Sequence, residues 1–307
     1  MTLTLIFEQL LNGVQFGMML FLMSAGLTLV FGVMGLINLA HGVLYMVGAF
    51  ACAIVAGITG SFWLGLLASL ITAAMAGALV EVGVIRKLYK RDHLDQVLAT
   101  YALILIFSEG TRWLFGSFPL YLDVPEFLSK PVNLFGLLDY SSYRLFIIAV
   151  GIAVAVGLYL LIAKTRLGMR IRAGASDREM IAALGVDIRT LYTLVFALGA
   201  ALAGLAGALL GAVQSVEVGM GDSVLILAFV VVVIGGIGSI KGAFIGALLV
   251  GVVDTMGRFL LPYILGLLLT PEAATDIGGA LSSVAIYILM AVILIVKPKG
   301  LVKGAGS

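Results

Sequence analysis

Charge is what this sequence has least of: only 11% of its 307 residues are Asp, Glu, Lys or Arg, where a soluble domain carries about 25%. A chain so poor in charge cannot cover itself with water-compatible surface, which excludes an ordinary soluble globule. The single cysteine, Cys52, excludes an intrachain disulfide, and its apolar setting marks it as a small packing residue. Two histidines, His41 and His93, beside one cysteine leave no set for a metal site or a Cys–His pair. No basic region precedes the first apolar run, so the expectation is a retained span and not a cleaved signal. Nor does a phosphate loop occur. Gly235-Gly-Ile-Gly-Ser-Ile-Lys241 comes nearest, but Ile240 precedes the lysine and glycine follows it, so the chain is expected not to bind ATP itself. A net charge of +2 and the lack of a basic patch interleaved with aromatics argue against a nucleic-acid partner.

What remains is apolar and rich in glycine. Hydrophobic residues make up 62% of the chain, and 39 residues are glycine against 6 prolines. The mean hydropathy is +1.21. Gly-rich apolar runs suit helices that pack closely in lipid. The predicted fold class is all-α: a polytopic transmembrane helix bundle of eight to ten spans, forming a single domain over 1–307. Spans are expected at 9–34, 38–57, 62–85, 95–115, 143–163, 190–213, 223–240, 242–262 and 277–296. The Gly-rich runs 38–57 and 223–240 are candidates for broken or re-entrant segments. The pairs 9–34/38–57 and 223–240/242–262 resemble one another, suggesting an internal repeat.

Lys and Arg set the orientation. Arg86, Lys87, Lys90 and Arg91 fall in one set of loops with Lys164, Arg166, Arg170, Arg172, Arg178 and Arg189, and with Lys297, Lys299 and Lys303. That side is assigned to the cytoplasm. The opposite side carries Asp123, Glu126, Asp139, Glu217, Asp222, Glu272 and Asp276. There the loop 116–142 would cap the outer face. On the basic side, 164–189 is the longest segment between spans.

Within 164–189, Ser176, Asp177, Arg178 and Glu179 form an S-x-x-E capping box, and Gly185 suits a left-handed C-cap. The reading is a two-turn helix, Asp177 to Leu184, with Met180, Ile181 and Leu184 on one face. Such a helix either docks in a groove of another protein or lies on the membrane surface among its basic neighbours.

Polar residues inside spans are expensive. Asn38, His41 and Gly42 in the first Gly-rich turn, with Gly236 and Gly238 in the second, are the candidate pathway or gate residues. The bland alternative has Asn38 capping a helix that starts near Leu39 and His41 bonding a neighbouring carbonyl; the topology puts both near the cytoplasmic side. Glu109 with Arg112 and Asp254 with Arg258 are spaced for ion pairs within one helix, and Glu81 near Arg86 is expected to snorkel to the interface. Ala203, Gly207 and Gly211, Ala200, Gly204 and Ala208, and Gly238, Gly242 and Gly246 make small-residue ridges for helix packing.

These features together resemble the permeases of branched-chain amino acid ABC importers. Gly26-Leu-Thr-Leu-Val-Phe-Gly-Val-Met-Gly-Leu-Ile-Asn-Leu-Ala-His-Gly-Val-Leu-Tyr-Met-Val-Gly-Ala49 is similar to that family's N-terminal signature. Thr165-Arg-Leu-Gly168 through Ala183-Leu-Gly185 resembles its cytoplasmic coupling loop. Val233 to Ala243 resembles its second Gly-rich hairpin, and Lys297-Pro-Lys-Gly-Leu301 its ending. The resemblance implies a non-enzymatic subunit of the bacterial inner membrane that forms the pathway for leucine, isoleucine and valine. It implies a second homologous permease subunit, two ATP-binding subunits and a periplasmic solute-binding protein as partners within the lipid bilayer. No cofactor is expected in this chain; ATP would be bound by the partner subunits. Arg172, Ser176, Asp177, Arg178, Glu179, Met180, Leu184 and Gly185 would then couple to the ATPase. Glu217 and Asp222, at the outer mouth between spans, either meet basic residues of the binding protein or, the favoured reading, form a solvated loop. The Glu-Ala-Ala and Gly pattern of other ABC importers is only approximated by Glu179, Ala182, Ala183 and Gly185. Relatives carrying urea, short amides or other small organic solutes keep a different substrate open. An ion-coupled secondary transporter is the alternative from another class, but it requires acids near the bilayer midplane, and most acids here lie in loops or near span ends.

Overall fold

The computed structural model describes residues 3–134, 136 and 138–302; Lys303 of the basic set lies outside them. The described chain is a helical bundle with one two-stranded hairpin. Eight helices are long and apolar enough to cross a membrane: α1 (Leu3–Met34), α2 (His41–Thr59), α3 (Phe62–Val80) with the π-helical turn Glu81–Ile85 and α4 (Arg86–Leu88) as one continuous rod, α5 (His93–Phe115), α7 (Ser142–Lys164), α10 (Ile188–Gly211), α12 (Ile240–Leu265) and α13 (Pro271–Val296). Helices satisfy their own backbone groups, which hydrocarbon demands. Shorter elements complete the chain: α6 (Glu126–Ser129), β1 (Pro131–Leu134), β2 (Leu138–Ser141), α8 (Arg166–Ser176), α9 (Arg178–Ala183) and α11 (Met220–Gly235).

The central helix is α1, whose residues from Gly17 to Val30 are all buried. It packs against α12, α10, α11 and α7. The α1–α12 contact is antiparallel and close: a Cβ on Gly17 would fall 2.9 Å from the Ala247 carbonyl oxygen, and one on Gly32 would fall 2.7 Å from the Gly238 Cα. The second layer is α10 with α2 and α3. Here the ridges expected from the sequence are packing surfaces. Gly48 and Gly204 bring α2 and α10 backbone to backbone, Gly207 meets the Tyr45 carbonyl, and Gly246 meets the Val231 carbonyl. On the outside, α5, α7 and α13 expose Leu98, Ile106, Ile152, Val156, Ile288 and Val292, a face that only lipid or another apolar surface accommodates.

The two Gly-rich pairs fold differently. α11 and α12 pack side by side as a hairpin, whereas α1 and α2 hardly touch. The run 38–57 is an unbroken helix from His41 onward; its interruption lies just before, at 35–40. The run 223–240 shortens to α11, whose 16 residues extend about 24 Å, too short to cross a hydrocarbon core of about 30 Å. The loop 116–142 caps the end opposite the basic loops. Its strands pair Pro131 with Ser141 through Leu134 with Leu138, Trp63 stacks on Phe127, and the Tyr140 hydroxyl donates to Asn12 on α1.

Candidate functional site

Two places in the bundle carry the polar chemistry. The first is interior. α2 starts within the bundle: His41 Nε2 lies against Gly26, where a Cβ would be 2.9 Å away. Gly26 precedes the end of α1 by eight residues, about 12 Å along the axis, and it also packs on Gly199 of α10. Residues 35–40 therefore turn from the end of α1 back into the protein, starting at Gly35 with φ 65°. From the opposite end, 212–219 turns back after α10, held by the Leu120–Val216 bridge, and α11 begins at Met220. The two starts meet: Gly42 and Gly221, in the first turns of α2 and α11, touch backbone to backbone. From there α2 runs toward the outer cap and α11 toward the basic end.

This geometry corrects the sequence expectation. His41 sits deep beside Gly26 and not at the cytoplasmic edge. Asn38 does not cap a helix near Leu39; the N-cap of α2 is Ala40, without a side-chain hydrogen bond. Asn38 instead contributes its carbonyl, which accepts the His41 N–H at 3.4 Å. The Met23 carbonyl is the backbone acceptor nearest the His41 ring. Among the described residues the contact falls short of a well-formed hydrogen bond, and both side-chain atoms of Asn38 and the Tyr45 hydroxyl are buried without a partner. Tyr45, one turn beyond His41, joins them; a tyrosine in an apolar helix carries no sequence signal of its own.

Gly236 and Gly238 have φ of 103° and 77°, a region that glycine adopts freely. Gly236 is packed against the carbonyls of Lys299 and Val302. The tail joins it there, with Leu301 N–H donating to the Ile234 carbonyl and Val302 N–H to that of Gly235. Glu217 and Asp222 are exposed, Asp222 in the first turn of α11.

The second place is the basic end. α8 folds back under α7. Gly168 permits this, because a Cβ there would run into the Leu161 and Ile162 carbonyls. Arg172 donates to the Ile162 carbonyl, so it closes the end of α7. The capping box is not built: Ser176 ends α8, and Asp177 caps α9, its carboxylate accepting from the N–H groups of Glu179 at 3.0 Å and Met180 at 2.9 Å. Asp wins because its carboxylate also complements the helix dipole. Gly185 closes the other end as expected, with φ 84° and the Val186 N–H on the Ile181 carbonyl. The apolar face divides. Ile181 is buried, while Met180 and Leu184 are 61% and 76% exposed, with Arg178 and Glu179 beside them in solvent. Asp187 caps α10, accepting from Thr190 and Arg189, and these bonds hold its carboxyl below the usual range.

Between the two places sits Glu81, which does not snorkel. It is fully buried in the π-helical turn and accepts from Arg86 at 2.8 Å, Tyr89 at 2.6 Å and Thr193 of α10 at 2.6 Å. Burial and the Glu81 charge push the Tyr89 hydroxyl well up. The expected ion pairs Glu109–Arg112 and Asp254–Arg258 both form, at 2.5 and 3.0 Å.

An apolar multi-pass bundle with two helices that start in its interior defines a polytopic membrane protein of the transporter class. The family model described as "Branched-chain amino acid transport system / permease component" matches residues 9–295, and the chain belongs to that family. It is 30% identical over 310 residues to the high-affinity branched-chain amino acid transport system permease protein BraD of Pseudomonas aeruginosa, covering 96% of this chain and 94% of the relative. It is 28% identical to the corresponding LivH of Escherichia coli over 81% of this chain and 85% of that one. A probable LivH of Methanocaldococcus jannaschii is 28% identical over 78% and 76%. No solved structure gives a significant match.

Proposed function

We propose that this chain is a permease subunit of an ATP-driven importer that carries branched-chain amino acids across the bacterial inner membrane, without enzymatic activity of its own. Its relatives are permeases of branched-chain amino acid transport systems, and the largely apolar interior of the bundle suits leucine, isoleucine and valine. The observation that carries the reading is α9. A helix of under two turns is stabilised at both ends by Asp177 and Gly185, anchored by Ile181, and used to hold Met180 and Leu184 out in solvent. A surface loop gains nothing from exposing two large apolar side chains in a fixed frame, whereas a protein groove does. The basic end faces the cytoplasm, where two ATP-binding subunits receive α9 and bind the ATP. A second, homologous permease subunit completes the pathway. At the opposite end a periplasmic binding protein delivers the solute near the exposed Glu217; Asp222, beside Gly221 at the interior start of α11, lies too deep for that contact.

The test is gentle purification of the tagged chain from its native membrane, with mass spectrometry of what stays bound. An ATP-binding subunit and a second permease are expected. Recovery of this chain alone, from a preparation that preserves other membrane complexes, overturns the reading in favour of an ion-coupled transporter.

A further inference from the structure

At the interior start of α2, three polar side chains lie within eight residues of one another without a well-formed hydrogen bond among the described residues. Asn38, His41 and Tyr45 are at most 1% exposed, and their amide, ring and hydroxyl atoms are all unpartnered among the described residues. Enclosing such groups without partners is costly. Packing does not require them, since Leu or Phe would fill the same volumes and leave nothing unpaired. His41 and Tyr45, one turn apart, share a helix face and lean toward the start of α2, as side chains on a helix do. The groups gathered there are chiefly donors: the Asn38 amide, the imidazole and the Tyr45 hydroxyl; no side chain caps α2, and of its first N–H groups those of His41 and Val43 go to the Asn38 and Ala40 carbonyls. The positive end of the α2 dipole adds to them. α11 also starts without a side-chain cap and adjoins the start of α2 through the Gly42–Gly221 contact, but Asp222 in its first turn offsets its positive end.

Unpartnered donors grouped at one helix start in an apolar bundle suit one carboxylate. We infer that the start of α2, with Asn38, His41 and Tyr45, is the subsite that holds the α-carboxylate of the transported amino acid part-way across the membrane. This rests on the importer reading above. The apolar side chain of the solute then faces the surrounding aliphatic residues, and the side-chain amide oxygen of Asn38, unpartnered among the described residues, accepts from the α-ammonium. Access needs α2 and α11 to part. At Gly42 and Gly221 their contact is backbone on backbone, with the Leu225 side chain beside it and Met220 packed near Val43 and Met46.

The test uses the complete importer in proteoliposomes, loaded with its binding protein and given labelled leucine. Asn38→Leu, His41→Leu and Tyr45→Phe are expected to assemble with thermal midpoints no lower than the wild type, because each removes an unpaired polar group. Initial uptake should fall about tenfold or more for the first two and about threefold for Tyr45→Phe. Thr28→Val is the control: its hydroxyl is equally buried and unpartnered, but two residues along α1 it faces away from Gly26, and uptake should stay at the wild-type rate. Uptake within about twofold of wild type in all three variants overturns the inference and leaves the groups serving water alone. Should a leucine variant fail to assemble, isotope-labelled histidine decides. The chain has two histidines, and the His41 signal should move on adding leucine but not leucinamide, with His93 as the fixed reference. A His41 signal that leucine leaves in place overturns the inference. A wild-type importer that accumulates no leucine sinks the importer reading itself, a distinct outcome from loss in the variants alone.

Discussion

Glycine and glutamate at single positions decide how tightly this bundle closes. Gly48 faces Gly204 where α2 crosses α10, and an added methyl would run into the Gly204 backbone. Gly48→Ala is therefore expected to push the helices apart and cost about 2 kcal/mol, within the range for overpacked cores, read as a lowered thermal midpoint in detergent; an unchanged midpoint would mean that this crossing is loose. Glu81 is the second such residue. It satisfies Arg86, Tyr89 and Thr193 together, so Glu81→Ala removes their shared acceptor and leaves Arg86 with Thr193 and Thr193 with the Arg189 carbonyl. A loss of about 3 kcal/mol is expected, again in the midpoint, while Glu81→Gln should recover part of it. The sequence suggested a snorkelling carboxylate because only Arg86 is near in the chain. Thr193 is brought to it by tertiary packing.

At the scale of the element, α9 separates two capping schemes that the sequence alone does not distinguish. Ser176 and Asp177 are both good N-cap residues, and the S-x-x-E pattern points to the first. The backbone selects Asp177 because Ser176 is still within α8. Asp177→Ala should lose about 1 kcal/mol of local helix stability and speed amide exchange at Glu179 and Met180, whereas Ser176→Ala should leave both unchanged. The reverse result would restore the serine cap. Gly185→Ala forces a side chain into the left-handed region at a cost of about 1–2 kcal/mol; it should fray the same helix from its other end and lower ATP-coupled uptake without preventing insertion.

For the molecule as a whole, the basic face and the interrupted helices are two ends of one machine. Met180→Asp with Leu184→Asp keeps the capping groups and replaces only the exposed apolar pair. The doubly substituted chain should insert and stay folded yet no longer retain an ATP-binding subunit on purification. Retention at the wild-type level would return α9 to the membrane-surface reading. The path from such a docking face to the start of α2 runs through α10, whose N-terminal half meets Glu81 and whose middle meets Gly26 and Gly48. α10 thus bears on both places.

Composition and hydropathy by themselves determined the class, the number of long helices to within one, the basic side, the ion pairs at three- and four-residue spacing and the glycine ridges, because each of these depends on periodicity or on local sums along the chain. The tertiary structure alone decided where the helices begin in depth. Nothing between Gly35 and Ala40 says that the chain turns inward and not along the membrane surface; that follows from α1, α10 and α11 leaving room for it. It also decided which polar groups find partners. Glu81 gains three from the chain around it, while Asn38, His41 and Tyr45 gain none, since satisfaction of a buried group is a property of its neighbours in space and not of its own sequence.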